Sequence, residues 1–209
     1  MASILAFPAP LQRLIQALEK FPGVGARSAE RMALYILRSP VEDAADLAVA
    51  LRDARMETLR CEVCGNITLR TPCSICEDEN RDETLVCVVE GPREVERMES
   101  AGVFDGRYHV LMEGFAPREG AEPEPDALRS LRGRVEKEGV REIVLATAPD
   151  REGEGAALLV SEALEGLDVT LTRLARGVPV GTRLEYLHGE ILADAFKGRR
   201  EISSSRSTS

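Results

Sequence analysis

Four of the chain's five cysteines lie in one short block with regular spacing. They stand in the pattern C-x2-C-x8-C-x2-C, at Cys61, Cys64, Cys73 and Cys76. Each two-residue gap lets one turn aim two sulfurs at a single point, and eight residues close the loop between the turns. Zn²⁺ prefers four tetrahedral thiolates, and a filled shell leaves no position for a catalytic water. The spacing therefore predicts a structural zinc site.

Two disulfides are the alternative for the same four cysteines. Met1–Pro10 has neither a basic start nor a long apolar run, so we expect no secretory segment before the block. A reducing cytoplasm, where thiolates persist, is then expected, and it favours zinc.

The fifth cysteine, Cys87, lies in the apolar run Leu85–Val89 and is expected to pack as a core thiol. No stretch of the sequence is long enough to span a membrane.

The charges are unevenly distributed along the chain. The formal net charge is −9, which taken alone argues against a nucleic-acid partner. The acidic excess lies in residues 81–175, which hold 12 basic and 21 acidic groups, whereas Leu11–Arg38 holds five basic and two acidic groups. The sequence therefore leaves a local basic face for nucleic acid despite the acidic whole.

That basic segment has the pattern of two helices joined by a glycine turn. Leu11, Leu14, Ile15 and Leu18 fall at i, i+3, i+4 and i+7, and the run 32–37 supplies the apolar side of a second helix. The turn between them contains Gly23 and Gly25, which permit positive φ and close approach to another surface.

The second helix is expected to begin near Ala26 and to point its free N–H groups at a phosphate. Arg27 and Arg31 then lie one turn apart on a single face. With Gly23 and Gly25 they predict a helix-hairpin-helix motif, which binds the DNA backbone without reading bases. A helical hairpin with a solvated arginine face is the alternative.

A further helix is expected over Val41–Leu59, and we expect it to have only a packing role. From Thr84 onward, short apolar runs typical of strands appear. Apolar runs at 85–89, 108–112 and 143–147 alternate with helical stretches at 93–101 and 127–138. This alternation predicts a doubly wound, Rossmann-like parallel sheet, so the expected fold is multidomain α and α/β.

Functional groups of such sheets collect just beyond the carboxyl ends of the strands. Those positions hold four carboxylates, at Glu90, Asp150, Glu152 and Glu154. Carboxylate oxygens there can bind Mg²⁺. In the alternative, Asp150 caps a helix and Glu152 is favoured in its first turn by the helix dipole.

The strand that ends in Glu90 and the strand that ends before Asp150 together resemble the Toprim family. In that family a glutamate and an Asp-x-Asp pair carry Mg²⁺; Glu90 matches the glutamate and Asp150 the second aspartate. Ala148 stands in the place of the first aspartate, which removes one ligand and weakens a two-metal mechanism.

The whole order of segments resembles the RecR family of bacterial recombination mediators. The resemblance rests on Phe21–Met32, on the cysteine spacing, and on Val88–Glu90 and Leu145–Thr147. It implies a DNA-binding scaffold without catalysis, which works with RecO and RecF in gap repair to load recombinase onto single-stranded DNA. It also implies that the protein forms homodimer or homotetramer rings and that it is cytoplasmic and associated with the nucleoid. A Mg²⁺-dependent nuclease or primase-like Toprim enzyme is the alternative function.

The sequence thus predicts five segments. They are a helix-hairpin-helix domain (1–59), a four-cysteine zinc finger (60–80), a Toprim domain (81–176), a C-terminal segment (177–200) and a disordered tail (201–209). The resemblance assigns an oligomer contact to the C-terminal segment, whose turn Gly177–Gly181 reads equally well as a plain loop. The loop Gly114–Pro125 departs from the family's usual sequence and receives no role.

Overall fold

The structure of the chain is a computed structural model that describes residues 7–111 and 125–199. It divides into two units between Thr58 and Leu59. The predicted loop 114–125, apart from its last residue, and the tail 201–209 lie outside the described residues.

The first unit contains three helices. They are α1 (Ala9–Leu18), α2 (Ala26–Arg38) and α3 (Val41–Glu57). Helices α1 and α2 pack through Leu11, Ala29 and Ala33, which are buried. The expected apolar side of α2 is only partly correct, because Met32, Tyr35 and Leu37 are exposed. Small alanine side chains let the two helices approach closely, so the contact lies at positions that a search for large apolar residues overlooks.

The turn between α1 and α2 has the predicted glycine geometry. Gly23 has φ of 79°, a left-handed conformation that favours glycine. Gly25 is extended, and its carbonyl oxygen accepts hydrogen bonds from the N–H groups of Ser28 and Ala29 at 2.9 and 3.0 Å. Helix α2 therefore begins at Ala26, as predicted, with its N-terminus beside the turn.

The second unit is built on a four-stranded parallel sheet. Its strands are β3 (Asp82–Val89), β4 (Gly106–Val110), β5 (Glu142–Leu145) and β6 (Thr170–Arg173), in the order β4-β3-β5-β6. The connecting helices are α5 (Pro92–Ala101), α6 (Pro125–Glu138) and α7 (Arg151–Ala163). The predicted parallel fold is confirmed, whereas β6, a short strand without a fully buried residue, was missed.

Both faces of this sheet are covered, and the side chains of β3 alternate between them. Val86 and Val88 join a core with residues of α6 and α7, while Cys87 and Val89 join a core with Val95 of α5. Successive side chains of a strand point to opposite faces, so one buried strand feeds both cores. Cys87 is the predicted core thiol, and burial raises its pKa to about 12.

The cysteine block precedes this sheet and packs against it. It contains β1 (Leu59–Arg60), β2 (Ile67–Thr68) and α4 (Ser74–Glu77). The N–H of Val110 in β4 donates to the carbonyl oxygen of Cys64 at 2.8 Å, and Ile75 packs on the core that contains Cys87. The block is therefore part of the second unit.

The C-terminal segment contains a short 3-10 helix (Leu184–Tyr186) and α8 (Gly189–Lys197). Across the described ranges, every helix is too short or too polar to cross a membrane.

Candidate functional site

The four predicted cysteine ligands converge on one point. The Sγ atoms of Cys61 and Cys76 lie 3.9 Å apart, those of Cys64 and Cys73 lie 3.6 Å apart, and all four fall within 4.8 Å of one another. A tetrahedral ion with metal–sulfur bonds of about 2.3 Å requires sulfur–sulfur distances of about 3.8 Å. The sulfurs are therefore placed to hold a metal ion.

Local backbone geometry builds this site. Gly65 has φ of 76°, and its N–H donates to the carbonyl oxygen of Cys61 at 2.8 Å, which closes the first turn. Cys73 and Cys76 lie one turn apart at the start of α4, and the N–H of Cys73 donates to the Sγ of Cys61 at 3.3 Å. An added Cβ at Gly65 would lie 3.1 Å from the carbonyl oxygen of Val110, so glycine also permits the close packing against β4.

The electrostatics of the cluster favour a cation. Hydrogen bonding with Cys64 lowers the pKa of the Cys73 thiol, and the same contact raises the pKa of Cys64 to about 12. Hydrogen bonds to Cys64 and Cys73 also raise the pKa of Cys76. Several buried thiolates repel one another, so a divalent ion is needed to hold all four sulfurs in the ionised form.

The hairpin presents cations that form no ion pair with the described part of the chain. Arg27 and Arg31 lie in the first two turns of α2, and both are exposed. Among the described residues, no ion pair includes any of the five basic side chains of the hairpin, Arg13, Lys20, Arg27, Arg31 and Arg38. An added Cβ at Gly23 or Gly25 would meet no atom within 4 Å, so the turn is open to a ligand.

Strands β3 and β5 place the predicted carboxylates at one edge of the sheet. Their connections leave in opposite directions, which makes this edge the topological switch point. Glu90 follows β3, and its Oε1 accepts a hydrogen bond from the N–H of Ala148 at 2.8 Å. Asp150 caps α7, because its Oδ1 accepts from the N–H of Gly153 at 2.8 Å.

The other two carboxylates extend from the first turn of α7. Glu154 forms ion pairs with Arg173, at 2.6 Å, and with Arg176. Hydrogen bonds from the two guanidinium groups lower the pKa of the Glu154 carboxyl to about 2, and that from Arg173 has the larger effect. Arg176 also lies 3.8 Å from a carboxylate oxygen of Asp194 in α8, so it connects this edge to the C-terminal helix. Glu152 is exposed and forms no ion pair with the described residues.

The four carboxylates do not form a compact cluster of ligand atoms as the four thiols do. Within residues 7–111 and 125–199, the cysteines are the only group of three or more His, Cys, Asp or Glu residues whose ligand atoms all lie within 4.8 Å of one another. Sequence reasoning missed Arg173 and Arg176 as partners of Glu154, because β6 was not predicted. The polar and β-branched stretch that begins at Thr170 is the signal that could have revealed that strand.

Together these features define a class of protein. It combines a helical hairpin with exposed arginines, a four-thiol metal site and a doubly wound parallel sheet of the Toprim type. A family model described as a RecR helix-hairpin-helix matches residues 11–55, and a Toprim domain model matches residues 84–175.

Full-length comparisons identify the family. The chain is 46% identical over 193 residues to the Recombination protein RecR of Pelotomaculum thermopropionicum, which covers 92% of this chain and 96% of that protein. It is 43% identical over 196 residues to that of Moorella thermoacetica, with coverages of 94% and 98%. The chain belongs to the RecR family of recombination proteins. This membership confirms the predicted family and agrees with the prediction of a mediator rather than a nuclease or primase.

We expect the four-thiol cluster to carry one metal ion per chain. Replacing Cys64 with Ser should release the ion and lower the yield of folded protein, because the structural metal of isolated zinc fingers contributes on the order of 10 kcal/mol to folding. Metal content by mass spectrometry and thermal unfolding would measure both effects. The matched control, Cys87→Ala, should retain the metal. Normal stability of a metal-free Cys64→Ser protein would contradict the assignment.

We expect the contribution of the Glu154 ion pairs to the stability of the fold to depend on pH. Because its folded-state pKa is lowered, they stabilise the fold above pH 4.5, and this contribution is lost as the pH falls from 4.5 to about 2. At pH 7 the thermal unfolding midpoint of Glu154→Gln should lie only slightly below that of the wild-type protein, since exposed ion pairs contribute little to the free energy of unfolding. The difference should vanish near pH 2. The control Glu162→Gln lies on the same helix, where Glu162 forms no ion pair with any described residue, and it should show no such trend.

Proposed function

We propose that this protein is a mediator of recombinational DNA repair that binds DNA through its hairpin and acts as a scaffold with RecO and RecF. In this role it loads recombinase onto single-stranded DNA at gaps. One observation carries the DNA-binding part of the proposal: the N-terminus of α2 presents, beside an open glycine turn, exposed arginines that form no ion pair within residues 7–111 and 125–199.

The physical basis of DNA binding is sequence-independent. The N-terminus of α2 is the positive end of the helix dipole, which favours a phosphate, and Arg27 and Arg31 add positive charge in its first two turns. Gly23 and Gly25 carry no side chain that would block the approach of a backbone. Elsewhere in the protein many arginines are already paired, for example Arg132 with Glu136 and Arg134 with Glu138. The hairpin therefore differs from those surfaces in having unneutralised charge.

We propose that the ion in the four-thiol site is zinc and that its role is structural. Four thiolates at tetrahedral distances suit Zn²⁺, and the buried cluster leaves no position for a substrate. The ion would hold the turn at Cys64, which is hydrogen-bonded to β4, and so support the sheet.

The acidic sheet edge is proposed to bind a basic partner protein, for which RecO is the candidate, rather than Mg²⁺. Glu90 and Asp150 already accept backbone N–H groups, and Glu154 is paired with two arginines. Glu152 is exposed and pairs with no cation among the residues that the structure describes. An acidic surface repels DNA phosphate and attracts a basic protein surface, so protein recognition fits this edge best.

The C-terminal segment is proposed to contact a neighbouring subunit in a homodimer or homotetramer ring. Its side chains include several large apolar groups that are exposed in the single chain. They are Val180, Leu184, Tyr186 and Phe196. Exposed apolar groups that lie close together in a chain indicate a surface that a protein covers.

Retention and cleavage of gapped DNA in the presence of Mg²⁺ would separate the proposed scaffold from an enzyme. We expect retention without cleavage. Cleavage that is abolished by changing Glu90 would identify a Toprim nuclease instead.

We expect a double change of Arg27 and Arg31 to Ala to weaken binding to all DNA sequences alike. The slope of log affinity against log salt should flatten by roughly 1–2, since each phosphate contact contributes about one unit. Fluorescence anisotropy over a range of salt concentrations would measure it. The matched control changes Arg52 and Arg55 of α3 to Ala, which removes the same charge outside the hairpin. Equal loss in both proteins, or unchanged affinity at low salt, would rule out the hairpin as the contact.

We expect Glu152→Lys to weaken RecO binding and to leave DNA binding by the isolated protein unchanged. The reversed charge would repel the basic surface that the exposed carboxylate attracts. Calorimetry with RecO would measure the change. Glu162→Lys, toward the other end of α7, is the control of equal charge and should bind RecO normally. Unaltered RecO affinity of Glu152→Lys would remove the partner role of this edge.

A further inference from the structure

The carboxylate of Glu90 takes the place of a backbone carbonyl in the sheet. The N–H of Ala146 donates to the carbonyl oxygen of Val88 at 2.9 Å, the last backbone hydrogen bond from β5 to β3. Two residues further along each strand, the N–H of Ala148 donates to the Oε1 of Glu90 at 2.8 Å. In a regular parallel ladder the main-chain carbonyl of Glu90 would accept that bond. The side chain therefore extends the pairing by one step where the two strands separate.

The first turn of α7 packs directly on this bond. A Cβ added to Gly153 would lie 2.8 Å from the Oε1 of Glu90, 2.7 Å from the nitrogen of Ala148 and 2.2 Å from its carbonyl oxygen. Gly153 is buried, and its N–H is held by the Oδ1 of Asp150 at 2.8 Å. Contacts thus run from Glu90 through Ala148 to the start of α7. Glu152 lies within this segment, directly before Gly153.

We propose that Glu90 is a positioning residue, which holds the segment from Ala148 to Gly153 and thereby orients the acidic turn of α7 for its basic partner. This inference rests on the proposed partner role of that turn. Glu90 acts through the Ala148 N–H and not by touching the partner or a metal ion. What position 90 requires is a hydrogen-bond acceptor of this length, and the negative charge is secondary.

Two substitutions separate an acceptor from a charge. Glu90→Gln keeps the length of the side chain and an amide oxygen that can accept the Ala148 N–H, but it removes the charge. Glu90→Ala removes both. Circular dichroism and the thermal midpoint would verify that each variant is folded.

Hydrogen–deuterium exchange of the protein alone tests the positioning. In Glu90→Ala we expect amide exchange in the segment 146–155 to be about tenfold faster than in wild type, because the acceptor of the Ala148 N–H is lost. In Glu90→Gln we expect exchange to stay near the wild-type rate. Wild-type exchange in Glu90→Ala would overturn the proposal.

Calorimetry with RecO provides the functional measurement. Glu90→Ala should weaken RecO binding, and Glu90→Gln should restore it to nearly the wild-type affinity. If both variants lose affinity equally, the charge of Glu90 contacts the partner directly and the proposal is wrong. Loss of a wild-type heat of Mg²⁺ binding in Glu90→Gln would likewise overturn it, because Glu90 would then be a metal ligand.

The result is distinguishable from failure of the partner role itself. If Glu152→Lys binds RecO normally while Glu90→Ala accelerates exchange, the proposed partner surface is wrong and the effect of Glu90 on the segment stands. If Glu152→Lys loses RecO and Glu90→Ala changes neither exchange nor binding, the partner surface stands and the positioning role is wrong.

Discussion

The parallel pairing of β3 with β4 and β5 is the constraint on which the second unit depends. Strand β3 is buried from Val86 to Val89, and it supplies both cores because its side chains alternate between the two faces. Its neighbour β4 receives the cysteine turn through the hydrogen bond from Val110 to Cys64. Its own carboxyl end carries Glu90. Strand β3 thus connects the four-thiol site, the two cores and the acidic edge, so a change in its register would alter all of them.

The acidic edge shows how a Toprim-type arrangement can remain stable without a gathered set of carboxylates. Crowded negative charges repel unless something neutralises them. Here backbone N–H groups bind Glu90 and Asp150, and Arg173 and Arg176 neutralise Glu154. These contacts come from the chain itself, and they couple the edge to α8, because Arg176 lies between two acidic side chains of different elements. Electrostatics of this kind is suited to protein recognition.

The chain separates its charges by unit, and this separation agrees with a scaffold that has more than one kind of partner. The hairpin helices α1 and α2 hold basic groups that form no ion pair in the described ranges, whereas the sheet unit holds the acidic excess and pairs many of its arginines internally. A net charge of −9 therefore conceals a surface that suits phosphate. The family comparisons place the protein among RecR recombination proteins.

The sequence alone determined the features that local spacing encodes. The doubled C-x2-C pattern places its sulfurs through two short turns, the turn at Gly23 follows from glycine's access to positive φ, and apolar runs alternating with helices give the parallel sheet. Only the tertiary structure decided the contacts between residues far apart in the chain. Glu90 accepts a hydrogen bond from the Ala148 N–H, and Glu154 pairs with Arg173 because Arg173 lies at the end of a strand that was not predicted. Such partners follow from the pairing of strands in space, and the pattern of residue types along the chain does not specify which strands pair.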